Sequence, residues 1–119
     1  MTTVQDTLRL FGITRSYKGF QHTAHAICLV VHDESRLEAV TKKIYMETAS
    51  HFHCKWTAVE RNIRTAAARA WKVNRPLLFE MAGYPLACIP TASEFIEILA
   101  SYILRLSQPQ TQLRPLAML

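Results

Sequence analysis

Apolar residues recur every three or four positions along most of the chain, and this spacing predicts amphipathic α-helices. Only three glycines occur, and the alternation of apolar and polar residues typical of strands is almost absent. We therefore predict an all-α fold of about six helices around one core. The helices are expected at about 4–11, 19–32, 33–53, 57–74, 77–82 and 91–106.

Several details of these helices follow from single residues. The third helix either runs on to His53 or bends at Tyr45 before a short helix over 46–53. Pro76 is expected to end the helix over 57–74, because the residue before proline disfavours helical geometry. Thr91 and Glu94 predict a capping box at the last helix. The second helix is expected to bury Phe20, Ala24, Ile27, Cys28 and Val31.

The segment from Thr57 to Lys72 predicts a helix with one core face and one basic face. Thr57 and Glu60 have the spacing of a capping box, in which each side chain bonds a backbone amide of the first turn. The core face is expected to comprise Val59, Ile63, Ala66 and Ala70, and the opposite face Arg61, Arg64, Thr65, Ala68 and Lys72.

Such a helix fits the DNA major groove, because arginine reads guanine bidentately and small residues let the backbone approach. An ordinary amphipathic helix with a solvated basic face is the alternative. A short helix at 46–53 and a three-residue turn at 54–56 precede it, so 46–74 is a candidate helix-turn-helix. The turn lacks the glycine that many such motifs carry.

Composition narrows the class of protein. The 119 residues suffice for one domain with its own core, and half of them are hydrophobic. A formal charge of +5 favours an anionic partner, nucleic acid first and an anionic membrane surface second. The longest apolar run, 26–31, is too short to span a bilayer. We expect a helical domain over 1–106 and a flexible C-terminal tail over 107–119.

The cysteine, histidine and acidic residues do not form a recognised catalytic or metal-binding pattern. Cys28, Cys54 and Cys88 have scattered spacings and no signal peptide is visible, so free thiols in a cytoplasmic protein are expected. His51 and His53 would point to different faces of a helix, and no fourth ligand stands at a metal-binding spacing. No phosphate-binding loop or paired-carboxylate signature occurs. We predict no enzyme, no metal and no cofactor.

Several separated stretches resemble the DNA-binding effector domain of the stage-zero sporulation protein A family, the master response regulators of endospore formation. The likeness covers roughly residues 8–106. It rests on these stretches, in the same order: ITRSYKGF at 13–20, YMETASHF at 45–52, VERNIR at 59–64, AW at 70–71, GY at 83–84 and PTASEFI at 90–96.

The resemblance implies an all-helical domain that binds double-stranded DNA. Copies of the family's domain sit head to tail on tandem TGTCGAA-like boxes, and the domain also touches RNA polymerase and its sigma factor. Glu60, Arg61 and Arg64 match residues of the family's recognition helix, and Thr57 stands where the family has a serine. The further DNA contacts that we expect are Thr65 on that helix and the phosphate contacts Lys18, Lys55 and Lys72.

Two side chains have two possible roles each. Glu60 either accepts from a cytosine amino group or closes the capping box, and one carboxylate cannot fully do both. Trp56 either flanks the phosphates with its indole N–H or packs in the core beside the turn.

The sequence also departs from the family pattern. Ala58 stands where the family has an arginine, Trp56 and Thr65 differ, and the connector over 84–90 is shorter. No aspartate-rich receiver segment precedes the domain, so we expect control by something other than receiver phosphorylation. Ala58 and the shortened connector favour an alternative: an interaction module that binds a sporulation regulator or polymerase, as an antagonist, without reading DNA. Self-association on tandem sites is expected through the C-terminal helix.

Overall fold

The computed structural model describes residues 3–107, and every regular element in that part is helical, which confirms the all-α prediction. The predicted tail, apart from Ser107, lies outside the described residues. A 3₁₀ helix at Glu34–Ala39 and a π-helical turn at Thr41–Tyr45 lead directly into α3. The α-helices are α1 (Val4–Arg9), α2 (Phe20–His32), α3 (Met46–Phe52), α4 (Trp56–Ala82) and α5 (Ala92–Ser107).

The core lies between α2, α4 and α5, which pack on one another. Phe95 of α5 meets Phe11 edge to face, with ring centroids 6.4 Å apart. The four residues predicted as the core face of α4 are all fully buried: Val59, Ile63, Ala66 and Ala70. Burial of these side chains fixes which face of α4 remains at the surface. No helix within residues 3–107 is long and apolar enough to cross a membrane.

The buried face of α2 differs from the prediction. Ala24, Cys28 and Val31 are only half-buried, whereas the buried set is Phe20, Thr23, Ala26, Ile27 and Val30. The hydroxyl of Thr23 donates to the Gly19 carbonyl at 3.0 Å, and this bond lets a polar residue occupy the core side. The apolar pattern of α2 extends around more than one face, so periodicity alone does not define the inner one.

The break in α4 occurs at Asn74 and not through Pro76. Asn74 leaves helical geometry (φ −152°, ψ 68°), and its side-chain oxygen accepts from the Leu77 amide at 3.3 Å. Pro76 therefore lies in the first turn of the following segment, where its missing N–H costs no helical bond. That segment ends as predicted at Gly83, which has φ +92°.

Of the two capping boxes predicted from threonine and glutamate, one forms. The Thr91 amide donates to Glu94 Oε1 at 2.9 Å, and the Glu94 amide donates to Thr91 Oγ1 at 3.1 Å. The Thr57–Glu60 prediction is wrong, because the residue before α4 is Lys55, two residues earlier than the cap that this motif requires. Lys55 is the extended residue before the helix, with no side-chain cap, and Thr57 already lies inside the first turn.

The two threonines should therefore differ in their effect on stability. Thr91→Ala is expected to lower the free energy of unfolding by about 1 kcal/mol, the usual worth of a helix cap. Thr57→Ala should leave it within about 0.5 kcal/mol, as for most surface substitutions. Urea unfolding of the two variants measures the difference. A loss at Thr57 equal to that at Thr91 would contradict a helix that begins at Trp56.

Candidate nucleic-acid interface

The candidate helix-turn-helix comprises α3, a turn over 53–55 and the first part of α4. His53 adopts left-handed geometry (φ 56°, ψ 49°), and the Cys54 amide donates to the Ala49 carbonyl at 3.0 Å. This is the hydrogen-bonding pattern with which glycine commonly ends helices. Histidine is among the residues that tolerate such geometry, so the turn forms without glycine. Ala49, which is buried, lets α3 lie close to its neighbours.

The first residue of α4 is held by the element before α3. The Trp56 indole lies parallel to the Tyr45 ring at an interplanar angle of 2°, with centroids 6.3 Å apart, yet remains 39% exposed. Trp56 thus combines packing beside the turn with access from solvent. Burial, and secondarily the charge of Glu60, raises the pKa of Tyr45 to about 12, so the phenol stays protonated.

The exposed face of α4 contains most of the predicted DNA-binding residues. At about 100° per residue, Arg61, Thr65 and Lys72 lie within a narrow sector opposite the core face. Thr57 and Arg64 border that sector on one side. All five side chains are exposed, so the structure brings them together on one surface: Thr57, Arg61, Arg64, Thr65 and Lys72.

Glu60 and Arg64 form an ion pair along the helix, with 3.0 Å between Arg64 Nη2 and Glu60 Oε1. Glu60 is half-buried, and with the capping box absent, Arg64 is its ion-pair partner. A pair of opposite charges four residues apart on a helix is worth only about 0.2–0.5 kcal/mol, so a stronger partner can displace it. Arg61, by contrast, has no ion pair among residues 3–107.

The three lysines predicted as phosphate contacts lie at separate points around this face. Lys55 stands directly before the first turn of α4, whose unpaired amides favour an anion. Lys72 is about 16 Å further along the axis than Arg61. Lys18 is exposed in the loop over 13–19, which adjoins the flank of α4.

Sequence reasoning missed the contacts that join this loop to α4. The Tyr17 hydroxyl donates to the Thr65 carbonyl at 3.4 Å, and the Arg69 guanidinium carbon lies 5.6 Å from the centroid of the Tyr17 ring. Arg69 occurs eight residues after Arg61, a spacing that places it on the edge of the same face. That spacing is the one signal that could have included it in the site.

A series of contacts between polar side chains also supports α4 from the side of α2. Asn62 Nδ2 donates to His22 Nδ1 at 2.9 Å, so His22 bears its proton on Nε2, which lies 3.8 Å from Cys54 Sγ. This series of contacts connects α2, the turn of the helix-turn-helix and α4. Its effect is to orient the turn relative to the exposed face, and it requires a neutral histidine.

A second group of aromatic rings contacts α3. His25 stacks on His51 with centroids 4.4 Å apart, and Phe52 packs between them and His22. Among the described residues, no three histidine, cysteine or acidic side chains converge in a metal-binding arrangement. The ring contacts join α2 to α3.

Stability is expected to fall as the pH drops below about 6.5. Burial lowers the pKa of His22; burial, and then the charge of His51, lowers that of His25, although Glu47 acts in the opposite sense. Below 6.5 the unfolded chain binds protons that the folded protein resists, so the free energy of unfolding decreases with acidity. Urea unfolding between pH 5.5 and 7.5 measures this.

Between pH 5.5 and 7.5 the change in stability comes from the histidines, because the carboxyl groups with shifted pKa values titrate at lower pH. Hydrogen bonds lower the pKa of Asp6 and Asp33 below 3.8, so their stabilising effect is lost only in stronger acid. The double variant His22→Gln/His25→Phe should show a shallower dependence on pH. Equal stability of the wild-type protein at pH 5.5 and 7.5 would contradict the neutral-histidine account.

The amino-acid sequence matches one known protein family over most of its length. The family described as the C-terminal domain of the sporulation initiation factor Spo0A matches residues 4–103, which includes α1, α2, α3, α4 and most of α5. It is a family of DNA-binding effector domains from a sporulation regulator, not a family of enzymes. The chain belongs to the Spo0A C-terminal family, and it is an all-helical DNA-binding domain of the sporulation-regulator type.

Proposed function

We propose that this protein is a sequence-specific transcriptional regulator that inserts the first part of α4 into the DNA major groove. The observation that carries the proposal is the exposed, polar face of α4, on which Arg61 and Arg64 lie beside the small residues Thr65 and Ala68. An α-helix fits the major groove, and arginine there can bond the O6 and N7 acceptors of guanine.

Arg61 is proposed as the main base-reading residue, because its guanidinium has no competing carboxylate among the described residues. Arg64 is proposed as a second base or phosphate contact, held in position by Glu60 until DNA is bound. With Glu60 engaged by Arg64, acceptance from a cytosine amino group becomes its secondary role. Thr57 and Thr65 supply hydroxyls to the same groove.

The lysines are proposed to bind phosphates. The face of α4 that reads bases is surrounded by Lys18, Lys55 and Lys72. When these lysines neutralise phosphates, counterions are released, which gives affinity for any DNA sequence.

The protein would act in the cytoplasm on chromosomal DNA, with tandem TGTCGAA-like boxes as the preferred site. RNA polymerase with its sigma factor remains a proposed protein partner.

A single copy is expected to bind weakly, so we propose self-association on tandem boxes. The apolar face of α5 is buried within the protomer, which leaves the exposed end at Leu106 as the part of α5 open to a second copy. Sedimentation on single-box and tandem-box duplexes would measure this association.

An interaction module without sequence reading is the second candidate. Exposed Met46 and Trp56 border a groove of about 440 Å³ between α3 and α4, and they add apolar surface beside Lys55 that a phosphate contact does not need. Such a groove suits a protein partner, for example a sporulation regulator or polymerase, which this protein would then antagonise.

Fluorescence anisotropy with a tandem-box duplex and a scrambled duplex, across a salt series, separates the two functions. A tenfold preference for the box, about 1.4 kcal/mol, that survives added salt is the expected result. Equal and salt-sensitive binding to both duplexes would contradict reading of this box and require selection from random sequences. Absence of binding to either would favour the interaction module.

A further inference from the structure

The loop over residues 13–19, the second part of the connection between α1 and α2, is fixed against one flank of α4. Gly19 has φ +93°, and a β-carbon there would lie 3.1 Å from Asn62 Cβ, so the backbone of the loop touches α4 directly. Two residues earlier, Tyr17 bonds the Thr65 carbonyl and lies under the guanidinium of Arg69. The loop thus follows α4 for about two turns, from Asn62 to Arg69.

Arg69 also contacts Gly12, the residue directly before the loop. A β-carbon at Gly12, where φ is +74°, would lie 3.2 Å from Arg69 Nη2, so the guanidinium fits over a position that has no side chain. Arg69 therefore bridges Gly12 and Tyr17, the two ends of the turn that contains Arg15. Tyr17 is half-buried and packs against the edge of the core, whereas Arg69 is exposed.

The outer side of the loop has the composition of a phosphate-binding surface. Thr14, Arg15, Ser16 and Lys18 are all exposed, and they supply two cations and two hydroxyl donors. No aspartate or glutamate occurs between Asp6 and Asp33, so no nearby acidic residue of this segment opposes an anion. A notch of about 290 Å³ lies beside the loop, lined by residues 15–22 and by Asn62 of α4.

We propose that this fixed loop is a second DNA-binding element, which grips the phosphates of the strand bordering the groove occupied by α4. Tyr17 and Arg69 are positioning residues, and Arg15, Ser16 and Lys18 are the phosphate contacts. The inference rests on the proposed function, in which α4 enters the major groove.

The geometry of the groove gives the reason. The major groove is about 12 Å wide and a helix with its side chains about 10–12 Å, so anything fixed to the flank of α4 meets the sugar-phosphate backbone. A loop that follows the helix for two turns would track that strand. Phosphate contacts of this kind fix the register of the helix without reading bases themselves.

The first test removes the loop's charges and measures the salt dependence of binding. Arg15→Gln/Lys18→Gln should make the slope of log affinity against log salt shallower by about 1.8, the value for two lost phosphate contacts. The preference for box over scrambled DNA should persist. Ethylation interference should lose the phosphates on one flank and keep the rest.

Arg105→Gln is the matched control for net charge. Arg105 lies at the end of α5 and donates to the Met81 carbonyl, twenty residues along α4 from Arg61. The charge lost is that of one arginine, but at a position remote from the loop. An equal change of salt slope per charge in this control would overturn the proposal, because net charge alone would then explain the effect.

The second test addresses positioning without changing any charge. Tyr17→Leu should make the salt slope shallower by about 1 and weaken the interference signal at the loop's phosphates, since the loop is no longer held against α4. Tyr102→Leu is the control, because Tyr102 also lies beside an arginine, with Arg105 5.9 Å from its ring. Should Tyr17→Leu fail to fold, as judged by circular dichroism, Tyr17→Phe removes the hydroxyl alone.

The outcomes distinguish this inference from the proposed function. A box preference together with an unchanged slope in the loop variants would overturn the loop's role and leave base reading intact. A changed slope without any box preference would support the loop and contradict sequence-specific reading. Absence of binding to every duplex would overturn both.

Discussion

Replacing Arg61 by alanine is expected to weaken binding to the preferred box about 5- to 150-fold, and binding to random duplex far less. A bidentate contact between arginine and guanine is worth about 1–3 kcal/mol of discrimination. Arg61 is exposed near the centre of the polar face of α4 and, within residues 3–107, has no ion pair to break. Anisotropy titrations on box and scrambled duplexes at one salt concentration measure both losses.

Lys72→Ala is the matched control on the same face. A phosphate contact at Lys72 predicts equal weakening on both duplexes and a salt slope shallower by about 0.9. If Arg61→Ala produced that same pattern, Arg61 would be a phosphate contact and base reading would have to reside elsewhere. If Lys72→Ala acted on the box alone, the assignment of Lys72 to phosphate would be wrong.

The predictable parts of the fold are those set by neighbours along the chain. The core face of α4 follows from the spacing of Val59, Ile63, Ala66 and Ala70, and the structure confirms it. The end at Gly83 and the capping box at Thr91 are equally local. Each depends on residues within one or two turns, and the sequence displays them directly.

The capping boxes show where local reasoning stops. Thr57–Glu60 and Thr91–Glu94 have the same motif, yet only the second forms. The difference lies in Trp56, which stacks on Tyr45 and already belongs to the helix, so Thr57 falls inside the first turn. That stacking depends on the path of the chain through α3, which no four-residue motif contains.

The candidate site also has one part that the sequence predicts and one part that it does not. The exposed face of α4 is predictable from helical periodicity and the family resemblance. The support around it is not, because Tyr17 meets Thr65 across 48 residues and His22 meets Asn62 across 40. The sequence predicts Lys18 as a phosphate contact, whereas the contacts that fix its loop beside α4 are visible only in three dimensions.

Ile63→Ala is expected to lower the free energy of unfolding by about 2–5 kcal/mol, a large share of the roughly 5–15 kcal/mol typical of a domain. Ile63 is fully buried, on the core face of the first part of α4. Removing its outer carbons leaves a cavity where α4 packs on the core. Urea unfolding with an unchanged denaturant slope measures the loss, and Ile63→Val should cost only about 0.5–1.5 kcal/mol.

Arg61 lies two residues from Ile63 but on the opposite side of the helix, so Arg61→Ala should leave stability within about 0.5 kcal/mol. Substitutions on the two faces of α4 should therefore have different effects. Ile63→Val keeps the box preference and loses stability, whereas Arg61→Ala keeps stability and loses the preference. A loss of box preference in folded Ile63→Val equal to that of Arg61→Ala would mean that the core contact sets the reading geometry, and the division of α4 into a packing face and a reading face would fail.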